Sequence, residues 1–359
     1  MAKLKVAVIF GGKSNEHDIS LISATHVINS IPRDKYEVIM IGITKKGHWM
    51  QYIGDVSFIA NGEWEKNQDN VPCVLSPDPI DKGFIATMGD GEIQHIRVDC
   101  IFPALHGKNG EDGTIQGLFQ MSQIPFVGCD MISSANCMDK EVTHTILESH
   151  GIKMAKWVSV RNYELDSLNS KCDEIEKKLS YPMFIKPARS GSSVGISKAH
   201  NISELKDGIK HAFLHDNKVV VEQGIEGIEC ECAVMGNNKL IVSTIGEIAP
   251  ANEFYDFESK YVSSQEQTFI PARFSSEKIE EIRSVARRAY LAIGCEGLSR
   301  VDFFLNTDNE VILNEINTLP GHTPISMYPK LMENEGIDAQ DEMDRLITLA
   351  LERVEEAYE

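Results

Sequence analysis

The chain has 359 residues, of which 42% are hydrophobic and 25% are charged, the balance of an ordinary soluble globular protein. At about one domain per 150 residues, this length predicts two or three domains. The net charge of −19 argues against nucleic acid and anionic membranes as partners, and no apolar run reaches the ~20 residues of a membrane span. Eight cysteines without a C-x-x-C pair predict reduced thiols in a cytoplasmic protein.

The first part of the chain, to about residue 128, has the pattern of an open α/β sheet. Nearly continuous apolar runs at 5–10, 36–43 and 98–105 are typical of buried parallel strands, and a helical period follows the first of them. The polar stretch 45–94 predicts hairpins and loops. Ligands of such sheets bind beyond the carboxyl ends of the strands, so the loops at those ends are the first candidates for a site.

Two loops follow strand ends in this part. One places Glu16 at the start of the first helix, for which Ser14 is the predicted N-cap, and the other holds His106 in a glycine-rich turn. Taken alone, Glu16 is explained by the helix dipole and His106 by an ordinary loop. The G-x-G-x-x-G fingerprint of a dinucleotide site is absent after the first strand.

The middle of the chain predicts a phosphate-binding segment. A helix capped by Ser133 or Ser134 is expected to run to about residue 150, with Lys140 inside it. Further on, a short strand ends on Lys186, and a loop of small residues, Gly191-Ser192-Ser193-Val194-Gly195, precedes another strand. Small residues let backbone N–H groups approach phosphates, while lysine supplies positive charge, so the segment predicts a loop that covers phosphates.

Other interpretations of this loop remain open. A P-loop would need Gly-Lys-Ser/Thr at its end, which is missing. The loop also matches G-x-S-x-G, the nucleophile elbow of hydrolases, but an elbow leads into a helix and Val194 begins what reads as a strand. The next strand, 218–223, ends on Glu222 and Gln223, whose polar groups suit the base and ribose of a nucleotide.

The segment 300–317 predicts a hairpin with a two-residue loop at Asp308-Asn309. Asp302 then lies opposite Glu315, and Arg300 lies opposite Asn317, all on one face. Facing carboxylates repel, and two carboxylates with an amide suit Mg²⁺ together with substrate phosphates. Arg300 beside them is placed to bind a phosphate or an oxyanion. Asn314 fits neither face in this register.

The remaining predicted elements surround this hairpin. Strands are expected at 229–235 and 239–248, and a polar, aromatic stretch at 253–261 predicts a long loop. An amphipathic helix at 277–293 is expected to pack beside the hairpin, a proline-rich loop follows it at 318–329, and a helix at 338–357 closes the chain.

Seven motifs, in one order and across almost the whole chain, resemble the D-alanine–D-alanine ligases of the ATP-grasp superfamily: VIFGGKSNEHDISL, LHGKNGEDGTIQG, CMDK, FIKPARSGSSVGI, EFYDFESKY, SRVDFF and NEINTLPG. The resemblance implies an α/β fold of ATP-grasp architecture with three domains. These are an N-terminal domain with an open parallel sheet at 1–128, a central ATP-grasp domain at 129–225 and a C-terminal ATP-grasp domain at 226–359.

The resemblance also implies site residues. The implied ATP-binding residues are Lys140, Lys186, Gly191, Ser192, Ser193, Glu222 and Glu229. The implied ligands of two Mg²⁺ or Mn²⁺ ions are Asp302, Glu315 and Asn317. The implied catalytic residues are Glu16, Ser192, Lys260, Tyr261 and Arg300, with Glu16, Ser192 and Tyr261 forming one hydrogen-bonded set. The implied D-alanine-binding residues are Glu16, His106, Arg300, Gly321, Ser326 and Met327.

The implied reaction joins two D-alanines at the expense of ATP, through an acyl phosphate, for peptidoglycan precursor synthesis by a homodimer. The sequence is similar to a branch that includes D-alanine–D-serine ligases, some of which carry an arginine at the place of Met327 and an aspartate at that of Gly246. Met327 and Gly246 offer a serine hydroxyl no polar partner, which favours D-alanine, and Tyr261 disfavours lactate. Gln223, Gly224 and His322 depart from the common pattern. Outside the family, a nucleotide-binding regulator without catalysis and a G-x-S-x-G hydrolase remain as alternatives.

Overall fold

The structure is a computed structural model that describes residues 2–249 and 267–358, with side chains as far as residue 353. The predicted loop at 253–261, and with it Lys260 and Tyr261, lies outside the described residues. The described residues form three β-sheets, each covered by helices. The predicted α/β fold class is confirmed. None of the helices in this part of the chain combines the length and apolar character that crossing a bilayer requires.

The first sheet belongs to the N-terminal part and has the strand order β6-β5-β4-β3-β2-β1-β7. Its strands are β1 Leu4–Gly11, β2 Tyr36–Ile43, β3 Trp49–Tyr52, β4 Val71–Leu75, β5 Gly83–Thr87, β6 Ile93–Arg97 and β7 Cys100–Leu105, and its helices are α1 His17–Ser30 and α2 Thr114–Ser122. The apolar strands β2, β1 and β7 are parallel, as predicted, and the polar stretch supplies the antiparallel strands. The predicted cap is wrong: the N-cap position of α1 is Glu16, and Ser14 Oγ accepts its backbone N–H at 3.1 Å.

The second sheet is antiparallel, with the order β10-β9-β11-β8. Its strands are β8 Trp157–Arg161, β9 Met183–Pro187, β10 Ser197–Ala199 and β11 Lys218–Gln223, and the helices are α3 Met131–Met138, α4 Lys140–Ser149, α5 Leu168–Lys178 and α6 Ile202–Ala212. The expected single helix from Ser133 or Ser134 is wrong, because Asp139 is extended and ends α3. The caps are Asp130 and Asp139, whose carboxylates accept the N–H groups of Ser133 and Val142.

The third sheet is antiparallel, with the order β14-β13-β12-β15-β16. Its strands are β12 Gly227–Met235, β13 Ile241–Ala249, β14 Gln267–Phe269, β15 Leu298–Asn306 and β16 Val311–Asn317, and the helices are α7 Ser276–Ile293, α8 Met327–Asn334 and α9 Ala339–Tyr358. As predicted, α7 packs on the hairpin of β15 and β16, and its apolar face joins their buried side chains in one core.

The hairpin keeps the predicted pairing of Asp302 with Glu315, although its loop differs from the prediction. The loop has three residues rather than two, because Asn306 pairs with Glu310 and Asn309 takes a positive φ of 61°. The register then shifts by one residue between Asp302 and Phe303, and the extra residue on β16 is Asn314. The added loop residue and the bulge shift the register in opposite directions, so Asp302 still lies opposite Glu315. The bulge also explains why Asn314 fits neither face.

Candidate active site

A cavity of about 730 Å³ lies between the second and third sheets. Its walls come from β9 and the loop after it, from the end of β11, and from β12 and the hairpin. The structure brings together in this wall the predicted residues Lys140, Lys186, Gly191, Ser192, Ser193, Glu222, Glu229, Asp302 and Glu315. Four of the seven motifs therefore meet in one place, although more than a hundred residues of sequence separate Lys186 from Glu315.

Two largely buried lysines, Lys140 and Lys186, supply positive charge to the cavity. Lys186 Nζ lies 2.6 Å from Glu222 Oε2, since the two side chains project from the neighbouring strands β9 and β11. Burial acts to lower the pKa of Lys186, but the carboxylates of Glu222, Glu315 and Glu229 outweigh it and raise that pKa. Burial lowers the pKa of Lys140, and Glu315 offsets part of this effect. The hairpin carboxylate therefore acts on both lysines.

The glycine-rich loop closes onto the start of α1. Lys140 Nζ donates to Ser190 O at 2.8 Å and fixes the beginning of the loop. Ser192 and Ser193 then adopt positive φ values of 48° and 58°, a strained backbone that is often found at ligand clamps. In this conformation Ser192 Oγ donates to Glu16 Oε1. The loop joins strands β9 and β10, so it does not form the strand-to-helix elbow of the hydrolase alternative.

The Glu16 carboxylate is enclosed by two glycines. A Cβ added at Gly107 would lie 2.1 Å from Glu16 Oε2, and one at Gly191 would lie 3.7 Å from the same atom. Gly107 also has a positive φ of 69°. The predicted contact between Glu16 and Ser192 is present. The loop that contains His106 and Gly107 also packs against the Glu16 carboxylate. Tyr261, the last member of the predicted set, lies outside the described residues.

The hairpin face carries a buried guanidinium between carboxylates. Arg300 donates to both oxygens of Asp302, at 2.8 and 2.7 Å, and its Nε lies 3.0 Å from Glu231 Oε2. Burial alone would lower the pKa of Arg300, but Asp302 and then Glu231 raise it well above its ordinary value. Arg300 thus supplies the positive charge that the facing carboxylates require. Glu231 stands opposite Asp302 on β12.

The hairpin has the donor atoms of a magnesium site. Among the described residues, no group of three or more histidine, cysteine, aspartate and glutamate side chains is close enough to bind an ion. Asp302 and Glu315 face each other across the hairpin, and Asn317 stands opposite Arg300, with its Oδ1 accepting the Leu319 N–H at 3.0 Å. Two carboxylates and an amide fit a hard cation that takes its other ligands from phosphate and water.

The remaining predicted residues lie near α1 and the loop that follows the hairpin. His106 is buried, and its Nε2 lies 2.9 Å from Ser23 Oγ, which also accepts the His322 N–H at 3.4 Å. This serine joins the His106 loop to the segment of Gly321. Ser326 is the N-cap residue of α8, and its Oγ accepts the Thr323 N–H at 3.0 Å.

Met327 is the first residue of α8 and has a buried side chain. A Cβ added at Gly246 would lie 2.7 Å from Met327 Sδ, so the methionine fills the space beside that glycine. A ligand at this end would therefore meet the backbone of Met327 rather than its side chain.

Comparisons with known proteins cover almost the whole chain. The family model described as D-ala D-ala ligase N-terminus matches residues 5–129, and the one described as D-ala D-ala ligase C-terminus matches residues 146–348. The chain belongs to the D-alanine–D-alanine ligase family. The D-alanine–D-alanine ligase of Caldicellulosiruptor bescii is 47% identical, over 98% of this chain and 96% of that protein. D-alanine–D-alanine ligase B of Clostridium tetani is 46% identical, over 98% and 94%.

Solved structures of ligases have the same fold as this family member. VanG D-Ala:D-Ser ligase from Enterococcus faecalis is 42% identical, with a TM-score of 0.90, over 97% of this chain and 100% of that one. The D-alanine–D-alanine ligase from Coxiella burnetii is 31% identical, with a TM-score of 0.87, over 100% of this chain and 97% of that one. The predicted ATP-grasp architecture is confirmed by these neighbours.

Sequence reasoning missed two residues of this ligase site. Glu231 follows Glu229 by two positions on β12, and the strand period alone places both on one face. His144 follows Lys140 by one helical turn. Its Nε2 lies 3.0 Å from Glu222 Oε1, and its ring stacks on Trp157 with centroids 5.2 Å apart. Both residues line the cavity, His144 beside Glu222 and Glu231 beside Arg300.

Proposed function

We propose that this chain is a D-alanine–D-alanine ligase, which joins two D-alanines in a peptide bond while ATP is converted to ADP and phosphate. The observation that supports it most is the meeting of three features in a member of this family. These are the buried lysine pair, the carboxylate face of the hairpin, and the loop that Ser192 fastens to Glu16.

In the first step, the carboxylate of the first D-alanine attacks the γ-phosphorus of ATP, and ADP leaves with the electrons of the broken bond. Lys140 and Lys186 bind the phosphates under residues 191–195, and Glu16 binds the substrate ammonium. Positioning and charge neutralisation provide the catalysis. The closed loop excludes water that would hydrolyse the acyl phosphate. Glu222 and Glu229 bind the adenine and ribose end, beside the stacked ring of His144.

In the second step, the amine of the second D-alanine, having lost its proton, attacks the acyl carbon, and phosphate leaves. The oxygen of that carbonyl becomes negative, and Arg300 and the backbone N–H of Gly321 stabilise it. The second carboxylate binds Ser326 and the first N–H groups of α8, where the helix dipole favours an anion. Since no covalent bond to the protein forms, Ser192 is a positioning residue.

Asp302, Glu315 and Asn317 would hold two Mg²⁺ or Mn²⁺ ions. When bound, the metal supplies positive charge to the phosphates of ATP and to the transferred phosphoryl group. A cytoplasmic location, a role in cell-wall precursor synthesis and a homodimer are part of the same proposal, and sedimentation of the purified protein tests the last.

The proposal is tested by mixing the protein with ATP, Mg²⁺ and D-alanine. Phosphate release and the dipeptide mass should appear together, in equal amounts, and both should require the metal. Absence of phosphate release with every pair of D-amino acids would contradict the proposal. An active-site serine probe tests the hydrolase alternative, and it should not label Ser192.

A D-alanine–D-serine ligase is the second candidate, because VanG D-Ala:D-Ser ligase is 42% identical to this chain. The contact of Met327 with Gly246 argues for D-alanine, since neither residue offers a polar group to a serine hydroxyl and a side chain at 246 would displace the methionine. A reaction in which D-alanine and D-serine compete as acceptors decides between the two candidates. Mainly D-alanyl-D-alanine is expected, and an excess of D-alanyl-D-serine would favour the second.

A further inference from the structure

A buried histidine lies directly after Gly321, and both of its ring nitrogens face oxygen atoms. His322 Nδ1 lies 2.9 Å from Pro320 O, and Nε2 lies 2.9 Å from Glu342 Oε1, near the start of α9. The side chains of His322 and Glu342 are only 5% and 1% exposed. A carbonyl oxygen only accepts hydrogen bonds, so Nδ1 carries a hydrogen. The contact with Glu342 then requires a second proton, on Nε2 or on the carboxyl group.

Apolar and aromatic groups enclose the pair. The ring of Phe102 meets the His322 ring edge-on at 6.3 Å, and Tyr328 of α8 lies 5.5 Å away. Another titratable group nearby is His26 of α1, whose pKa is lowered by burial first and then by His322. Separating the pair would leave a buried polar group without its hydrogen-bond partner, which is unfavourable. The loop after the hairpin is therefore held against α9 at this point.

The Pro320 carbonyl and the Gly321 N–H belong to one peptide group. A peptide group is planar and trans, so its C=O and N–H point in opposite directions and rotate together. A ring that binds the carbonyl oxygen thereby sets the direction of the N–H group, and a donor at the oxygen also polarises that N–H. In the proposed function, the Gly321 N–H stabilises the oxyanion of the second step.

We infer that His322, held by Glu342, is a positioning residue that orients the Gly321 N–H for the step that forms the peptide bond. The inference rests on the proposed function. Oxyanion donors contribute only when they point at the oxygen that becomes charged. Misdirection of the N–H should therefore slow peptide formation and leave phosphoryl transfer from ATP unchanged.

The test compares two partial reactions in wild type, His322→Phe and the double variant His322→Phe/Glu342→Leu. Dipeptide formation reports the second step, while exchange of ¹⁸O between the bridging and non-bridging positions of ATP reports reversible phosphoryl transfer. Both variants should form dipeptide about tenfold to a hundredfold more slowly, with the exchange rate and the KM for ATP within twofold of wild type. Glu342→Gln keeps a hydrogen-bond acceptor and should show a smaller loss.

The double variant separates positioning from stability, because it removes both members of the buried pair and leaves no unpaired charge. Its melting temperature should recover relative to His322→Phe, while dipeptide formation stays slow. The inference would be overturned if the melting temperature and the rate of dipeptide formation recovered together in the double variant. It would also be overturned if the exchange rate fell as much as the rate of dipeptide formation. Asp341→Asn is the matched control, since this carboxylate on α9 is 41% exposed and pairs with Arg345; it should change neither rate. A wild-type protein that forms no dipeptide would instead contradict the proposed function.

Discussion

Replacement of Gly107 by alanine should displace the Glu16 carboxylate without removing any charged group. The new Cβ would lie 2.1 Å from Glu16 Oε2 and 2.8 Å from Ser14 Oγ, whereas ordinary contacts begin at 3.4 Å. The carboxylate must therefore move by about 1.3 Å, the difference between 2.1 and 3.4 Å. This movement breaks or lengthens the hydrogen bond from Ser192 and shifts the proposed ammonium site.

Two costs are expected, and they differ in kind. The left-handed backbone at φ 69° strains alanine by roughly 1–2 kcal/mol, which lowers stability. A displacement of about 1 Å in a positioning group costs about a hundredfold in rate, or ~2.7 kcal/mol of transition-state stabilisation. We expect kcat/KM for D-alanine to fall about a hundredfold. The KM for ATP should change little, because Lys186 and Glu222 are not involved.

Gly91→Ala is the matched control. Gly91 has a positive φ of 88°, and a Cβ there would meet nothing within 4 Å. It should lose stability as Gly107→Ala does and keep its activity. Phosphate release at varied D-alanine and thermal unfolding are measured for both variants. If folded Gly107→Ala is as active as Gly91→Ala, the position of the Glu16 carboxylate is not required and the proposed substrate site is wrong.

Three further changes address the charges of the cavity. Glu315→Gln should abolish turnover and leave the circular dichroism spectrum unchanged, because it removes a metal-binding charge from a folded hairpin; a wild-type rate would argue against the metal site. Glu231→Gln should lower kcat about tenfold, or ~1.4 kcal/mol of transition-state stabilisation, since Arg300 loses the carboxylate charge 3.0 Å from its Nε, and an unchanged kcat would show that Asp302 alone positions the guanidinium. Burial acts to raise the pKa of Glu222, but Lys186 and His144 outweigh it and lower that pKa far below the ordinary 4.5. Glu222→Gln should therefore lower the melting temperature at pH 7, and the difference from wild type should shrink as the pH falls below about 4.5; a difference that grows on acidification would contradict the pairing.

The pairing of the hairpin could be predicted because the alternation of buried and polar residues fixes which residues share a face. The number of loop residues could not, since a three-residue loop with Asn309 at positive φ and a two-residue loop fit the same stretch. The prediction survived only because the bulge at Asn314 compensates for the longer loop.

Local sequence patterns could not predict the contacts between segments that lie far apart in the chain. The helix expected at 133–150 breaks because Asp139 caps α4 and also binds Lys218 of β11 at 2.6 Å, a partner that no local pattern identifies. The same holds for Glu231, whose role depends on Arg300 of another strand. The family resemblance supplied Glu16 and Ser192 as partners, whereas the closeness of Gly107 to that carboxylate is visible only in three dimensions.

The charges that line the cavity predict that nucleotide binding and metal binding are coupled in this chain. Among the described residues, three lysines and six carboxylates line the cavity, an excess of three negative charges. That excess repels the phosphates of ATP, although burial of the lysines concentrates positive charge at one side. One divalent cation leaves an excess of one negative charge, and two reverse the sign. We therefore expect this chain to bind an anionic substrate more tightly when cations occupy the hairpin face, while Arg300 stays paired with Asp302 and Glu231.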